Sequence, residues 1–281
     1  MKYNKRAMDK KWVYIWVFFL LPTIAGAQKI DTLASLKQFV QVCNNYKKVP
    51  LHISLNIYKT ADVPASAEDT AFSKAEFFIT GKESYVRLNN LEQMVNDSLM
   101  LLVNNDARQM ILYANNTPVN MRLSAYLGLQ MQDSSLQKMA QNYTAVQIAA
   151  EKEGDTAVIE LKSRAVIGAT ALPKETVQVT YSKSSYVPFR VVVEDRKLIP
   201  LDSVGYNTLL VTPKYAGKLI NPGKDNFFLV NTHTTTFIYN VMSYSNDVLY
   251  PAEINDRVVK DGEKHYVPAK GYETFRVIDN L

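Results

Sequence analysis

The chain has 281 residues, of which 47% are hydrophobic and 21% charged, with 10 glycines and 11 prolines. This composition is typical of a globular protein and excludes a collagen-like, disordered or disulfide-stapled chain. The formal net charge is +5, but five cations and one acid lie within residues 1–27, so the other 254 residues carry 27 basic and 26 acidic side chains. We expect no nucleic-acid partner, because phosphate contacts require a basic stripe that this near-neutral remainder lacks.

The N-terminal segment has the pattern of a signal peptide. Basic residues precede an uncharged run at residues 12–24, which is short for a hydrocarbon core about 30 Å thick. The small residues Ala25, Gly26 and Ala27 follow, as signal peptidase requires. We therefore predict a signal peptide at residues 1–27, cleavage between Ala27 and Gln28, and a periplasmic protein of residues 28–281. An uncleaved membrane anchor is the alternative, and Met8 competes with Met1 as the initiator.

A first helix is predicted at residues 31–48. Its apolar residues recur at intervals of three and four, and Asp31 is placed to cap the first turn. The stripe contains Cys43, the single cysteine of the chain, so no intramolecular disulfide can form. Since Cys43 shares the buried stripe, we expect it to pack in the core and not to act as a nucleophile.

An antiparallel sheet is predicted to follow. Leu51, Ile53, Leu55 and Ile57 alternate with polar residues, as in a strand with one buried face. Strand-like runs then recur with short polar turns between them, whereas parallel strands would need crossovers of a dozen or more residues. These runs are 72–80, 83–89, 91–96, 98–104, 108–114, 143–149, 156–162, 175–182 and 186–194.

The order of these elements predicts a single α+β domain at residues 28–281. Residues 121–141 lose the alternation and suit one or two short helices. We expect a curved antiparallel sheet, an incomplete β-barrel, with helices covering its concave face.

The C-terminal part is predicted to complete this sheet. Residues 196–230 are the least periodic and are interpreted as a linker, while further strands are expected at 237–242, 248–254, 265–267 and 272–277. An extension at residues 196–281 that pairs with the sheet would close an open edge.

Motifs that carry catalysis are absent from the sequence. It has no Gly-x-Gly, Gly-x-Ser-x-Gly or Cys-x-x-Cys, and His52, His233 and His265 lack the spacing of metal ligands. We therefore predict no enzyme activity, no catalytic residue, no metal and no cofactor. A hydrolase would need a polar cluster around His233 or His265 that the sequence does not show.

An apolar cavity between sheet and helices is the favoured site, with a lipid or acyl chain as ligand. The same residues could instead fill a core. A second alternative is an envelope or secretion-accessory module that docks a protein through Tyr58, Tyr113, Tyr143, Tyr181 and Tyr186 on an outer face. The predicted lining residues are Leu36, Phe39, Val40, Leu51, Ile53, Leu55, Phe78, Val86 and Leu88.

Several segments between residues 31 and 195 follow the element order of a known family. They are Tyr85-Val86-Arg87-Leu88, residues 92–97, 101–104 and 109–111, and the later pair 177–181 and 188–192. This arrangement resembles the periplasmic lipoprotein-carrier family, the LolA-like proteins. The resemblance implies an incomplete barrel around an apolar cavity, a lipoprotein acyl chain as cargo, and Arg87 as a candidate gating residue. We separately expect the protein to be a monomer.

Overall fold

The computed structural model describes residues 32–115, 135–148, 154–168, 170–223, 226–245, 250–262 and 265–281. The predicted signal peptide, Asp31 and most of the predicted helical stretch 121–141 lie outside these residues. The described chain falls within one compact unit, Thr32–Leu281.

Three α-helices and fifteen strands are formed by the described residues. The helices are α1 (Thr32–Asn44), α2 (Ser135–Asn142) and α3 (Ser203–Leu210). The strands are β1 (Leu51–Ala61), β2 (Phe72–Ile79), β3 (Ser84–Leu88), β4 (Leu91–Val95), β5 (Leu99–Asn104), β6 (Gln109–Ala114), β7 (Tyr143–Ile148), β8 (Thr156–Ser163), β9 (Glu175–Ser182), β10 (Pro188–Leu201), β11 (Leu219–Ile220), β12 (Phe227–Ser243), β13 (Val258–Asp261), β14 (His265–Pro268) and β15 (Arg276–Asn280).

Thirteen of these strands form one open sheet. Its order is β15-β6-β5-β4-β3-β2-β1-β12-β10-β9-β8-β7, with β11 paired to β12, while β13 and β14 make a separate hairpin. All pairs in the large sheet are antiparallel except β15 with β6. The predicted α+β fold with a curved, incompletely closed antiparallel sheet is therefore confirmed.

Helix α1 packs on one face of the sheet, which we call the groove face. Leu36 and Val42 of this helix are buried against Ile159 and Leu161 of β8 and Val179 of β9. Helix α2 joins the same cluster and contacts α1 and β7. The apolar stripe predicted from the sequence thus places α1 over the β7–β9 part of the sheet, with a short 3-10 turn at Asn45–Lys47 after it.

The C-terminal segment covers the opposite, outer face of β3–β6. Ile254 and Val258 are buried there in a cluster with Tyr85, Met94 and Leu101 of the sheet. An ion pair fastens this cover, because the Arg257 guanidinium donates to Glu92 Oε2 from Nη2 at 3.0 Å and from Nε at 3.2 Å.

The predicted organisation after residue 195 needs correction. Residues 196–230 are not a linker, because β10 continues to Leu201, α3 follows, and β12 already begins at Phe227. Strand β12 lies between β1 and β10 in the middle of the sheet and not at its edge. The predicted strand 248–254 is not formed in its described part, and the predicted strand 272–277 begins at Arg276 and pairs in parallel with β6.

Candidate ligand-binding groove

Two neighbouring cavities lie on the groove face, and Ile57 and Phe77 line both of them. The larger, of about 510 Å³, lies over β1–β6 and is lined by Ile57, Ala75, Phe77, Val86, Leu88, Leu91, Glu92, Gln93, Leu102, Val103, Asn104, Gln109 and Ile111. The smaller, of about 330 Å³, lies beside α1 and is lined by Phe39, Val42, Cys43, Tyr46, Leu55, Ile57, Phe77, Val177, Val179, Val191, Val193, Phe237 and Tyr239. We refer to the two together as the groove.

Strand register explains why these apolar residues form one surface. Leu55 pairs with Ala75 and Ala75 with Leu88, so their side chains stand in a row across three strands. On the other side of β1, Ile57 pairs with Phe237, and Phe237 with Val191 of β10. The groove therefore crosses nine adjacent strands from β6 to β9, about 38 Å along the sheet at the usual strand spacing.

The lining carries little charge. Among the described lining residues, Glu92 alone has an ionisable carboxyl group, and that carboxylate is turned to the outer face, where it is 7% exposed and bound by Arg257 and by the Asn105 amide. Gln93, Asn104 and Gln109 supply amides toward one end of the larger cavity. Because a ligand charge would find no free countercharge among these lining residues, the groove suits an uncharged apolar ligand.

Burial of the smaller cavity's wall raises the pKa of the Cys43 thiol to about 12, against a weaker opposing effect of Lys47. Cys43 is 2% exposed and packs on the sheet side of α1. A thiol with such a pKa stays protonated at neutral pH and is a poor nucleophile. The interpretation of Cys43 as a packing residue agrees with this position.

Of the nine predicted lining residues, four line the groove, three are buried in the core beside it, and two lie elsewhere. Phe39, Leu55, Val86 and Leu88 line the groove. Leu36, Leu51 and Ile53 are almost completely buried in the hydrophobic clusters beside it. Val40 is partly buried on α1 and is not among the lining residues.

Phe78 and Arg87 point away from the groove. Side chains alternate along a strand, so Phe77 and Val86 face the groove while Phe78 and Arg87 face the outer side. Phe78 stacks there on the His52 ring, with 4.2 Å between the ring centroids. Arg87 lines a polar pocket of about 620 Å³ with Ser54, Lys74 and Glu76, and its Nε donates to the Asn89 carbonyl. This position does not suit a gate for the groove.

Several lining residues were missed by the sequence interpretation. Ile57 could have been found, because it continues the alternation of β1 by one step. Phe77 was missed because Phe77 and Phe78 are adjacent and equally apolar, so the sequence does not indicate which of the two side chains faces the groove. Phe237 and Tyr239 became recognisable only once β12 was known to pair with β1.

The three histidines are not brought together into a catalytic or metal site. His233 Nδ1 lies 3.5 Å from Asp69 Oδ1, while His52 stacks on Phe78 and His265 begins β14. Within the described residues, no group of three or more His, Cys, Asp or Glu side chains is placed to hold a metal ion. The described helices also include none with the length and apolar character needed to cross a membrane.

No protein-family model and no curated protein matches this chain. Solved structures similar to it include an uncharacterized conserved protein from Thermus thermophilus, with 8% identity, a TM-score of 0.38, and coverage of 88% of this chain and 99% of that one. A putative outer membrane lipoprotein-sorting protein domain from Vibrio parahaemolyticus matches with 9% identity, a TM-score of 0.29, and coverage of 80% and 97%. A LolA superfamily protein from Nitrosomonas europaea matches with 10% identity, a TM-score of 0.24, and coverage of 74% and 93%. The resemblance to LolA-like proteins that the sequence indicated is thus found again among solved structures.

Proposed function

We propose that this protein is a non-enzymatic binding protein of the cell envelope that holds a lipid or acyl chain in the groove. The observation that carries the proposal is the pair of neighbouring apolar cavities on one face of the sheet, which share the lining residues Ile57 and Phe77. Lipoprotein acyl chains are one source of such a ligand, in keeping with the name of the lipoprotein-sorting domain that the chain resembles.

The size and lining of the groove support this ligand class. Cavities of about 510 and 330 Å³ fall in the range of roughly 300–1,000 Å³ that is usual for small-molecule sites. Leu88 and Leu91 remain 40% and 50% exposed at its rim. A bound hydrocarbon chain would remove this apolar surface from water, at about 25 cal/mol for each Å² covered.

Export to the envelope is the second part of the proposal. It is supported by the basic, apolar and small-residue order of residues 1–27, which is typical of a secretory signal. An exported chain with the single cysteine Cys43 would have to be stabilised by core packing, without an intramolecular disulfide.

The protein-docking alternative is weakened by the positions of its tyrosines. Tyr181 is 2% exposed and stacks on Tyr186, and both belong to the cluster under α1 together with Tyr143. Tyr113 alternates with outward-facing Leu112, so it belongs to the groove face. Of the five tyrosines named for docking, Tyr58 lies on the outer face, beside exposed Phe72.

Native mass spectrometry with offered acyl lipids tests the proposal. We expect the mature protein to retain one or more acyl lipids, and Leu88→Asp to retain far less because a carboxylate is placed in the apolar wall. Leu210→Asp is the matched control, since Leu210 is 59% exposed on α3, away from the groove. An apo mass for the wild type, or equal lipid retention by both variants, would refute binding in the groove.

A further inference from the structure

The smaller cavity contains a pair of hydrogen-bonded phenols. The Tyr46 hydroxyl donates to the Tyr239 hydroxyl, with 2.6 Å between the oxygens, and both residues line the cavity. The two rings meet edge to face, with centroids 6.3 Å apart. Apart from the Cys43 sulfur, these oxygens are the only polar side-chain atoms among the thirteen lining residues. Among the described lining residues, they are therefore the side-chain oxygens that a ligand could meet by a hydrogen bond.

One hydroxyl proton of the pair is left without an acceptor. Two phenols carry two protons, and the bond from Tyr46 to Tyr239 uses one of them. Among the described residues, no hydrogen bond is formed by the proton of Tyr239. Tyr244 packs against the hydrophobic cluster that contains Tyr46, as Tyr239 does, and its buried hydroxyl has no hydrogen-bond partner in the described part of the chain. A buried donor without an acceptor destabilises the protein, so an acceptor on a ligand would be stabilising here.

The surroundings favour an uncharged acceptor. Burial raises the pKa of Tyr46 and raises that of Tyr239 to about 12, so both phenols remain protonated donors at neutral pH. Two lysines lie near this cavity: Lys47 acts electrostatically on the Cys43 thiol, and Lys48 Nζ binds Asn45 Oδ1 at 2.6 Å and stands 4.9 Å from the Tyr244 ring centroid. A carboxylate would lose its hydration in this apolar cavity, whereas an ester or amide carbonyl needs only the hydrogen bond.

We propose that Tyr239 donates its hydroxyl proton to the carbonyl oxygen of an acyl ester or amide, with the hydrocarbon chain running past Ile57 and Phe77 into the larger cavity. The inference rests on the proposed function and narrows its ligand class to neutral acyl derivatives. It also fixes the orientation of the ligand in the groove: the carbonyl end lies beside α1, and the end of the hydrocarbon chain lies over β2–β6.

A competition assay on the mature protein separates the parts of this inference. A fluorescent apolar probe is displaced by a long-chain acyl methyl ester, by the carboxylate and by the alkane of matched chain length. We expect the ester to bind about tenfold more tightly than the alkane, the effect of one net hydrogen bond, and more tightly than the carboxylate. Tyr239→Phe should remove this advantage and leave the alkane affinity unchanged, while Tyr58→Phe on the outer face should change neither.

The infrared band of the bound ester carbonyl gives a second readout. A hydrogen bond lowers the C=O stretching frequency, so the band should shift to higher frequency in Tyr239→Phe. The inference is overturned if ester and alkane bind equally, if the carboxylate binds most tightly, or if Tyr239→Phe weakens ester and alkane alike. Failure of all three ligands to displace the probe would instead overturn the proposed function, and this inference with it.

Discussion

Burial of the Cys43 thiol under α1 makes the free energy of unfolding depend on pH. The pKa of this thiol is raised from 9.0 to about 12 by burial, so the folded state keeps a proton that the unfolded chain releases above pH 9. Stability is unaffected below that pH and falls as the pH rises toward about 12, by at most about 1.4 kcal/mol per pH unit for this group. Urea unfolding between pH 8.5 and 10 should show this slope in the wild type and a flatter one in Cys43→Ala. Equal slopes would contradict the burial assigned to the thiol.

The Glu92–Arg257 pair makes a second prediction at the residue scale. The two side chains are 7% and 14% exposed, so removal of Arg257 leaves a buried, unpaired carboxylate. Arg257→Ala should therefore lower the free energy of unfolding by about 3–5 kcal/mol, measured by urea denaturation. Lys197→Ala is the control, because the Lys197–Asp195 pair is exposed, has a 3.8 Å separation and should change stability by less than about 1 kcal/mol. Similar losses in the two variants would show that Arg257 does not act through a buried charge.

At the scale of elements, β12 and the segment after it have different roles. A chain that ends after Pro200 lacks β12, which pairs with both β1 and β10 along most of its length. We expect that chain to be insoluble or to unfold without cooperativity, because the two halves of the sheet lose their connecting strand.

A chain that ends at Ser245 keeps β12 but uncovers the outer-face cluster of Tyr85, Met94 and Leu101. We expect it to melt cooperatively at a lower temperature and to associate through this exposed apolar surface, as measured by calorimetry and size-exclusion chromatography. A sharp, unshifted transition and a monomeric elution would contradict a covering role for residues 250–281.

The alternation of apolar and polar residues predicted the strands that have one buried face and one more exposed face. In β1, buried Leu51, Ile53 and Leu55 alternate with more exposed neighbours, and the first half of the sheet was predicted almost strand for strand. Along β10 from Arg196 to Leu201 and along most of β12, both faces are partly covered, so the contrast between neighbouring residues is lost. The three consecutive threonines at 234–236 and Pro200 further weakened the alternation of apolar and polar residues. The central position of β12 depends on its pairing with β1, which is far away in the sequence.

For the same reason the groove was predicted only in part. Alternation indicated that β1 and β3 have one apolar face, and Leu55, Val86 and Leu88 of that face line the groove. It could not distinguish groove from filled core, because Leu51 and Ile53 share that face and pack tightly under Tyr46. The residues that shape the α1 side, Phe237 and Tyr239, come from a strand about 180 positions away from β1 in the sequence. Only tertiary structure brings them together.

For the molecule as a whole, the central claim is that one face of the sheet holds an acyl chain and the opposite face does not. Photo-crosslinking with an acyl ester that carries a diazirine along its chain tests this most directly, with labelled residues identified by mass spectrometry. We predict labels on Ile57, Phe77, Val86 and Leu102, competed away by unlabelled ester. Labels concentrated on the outer face near Tyr58 and Phe72, or on exposed Val204 and Val211 of the α3 region, would contradict it.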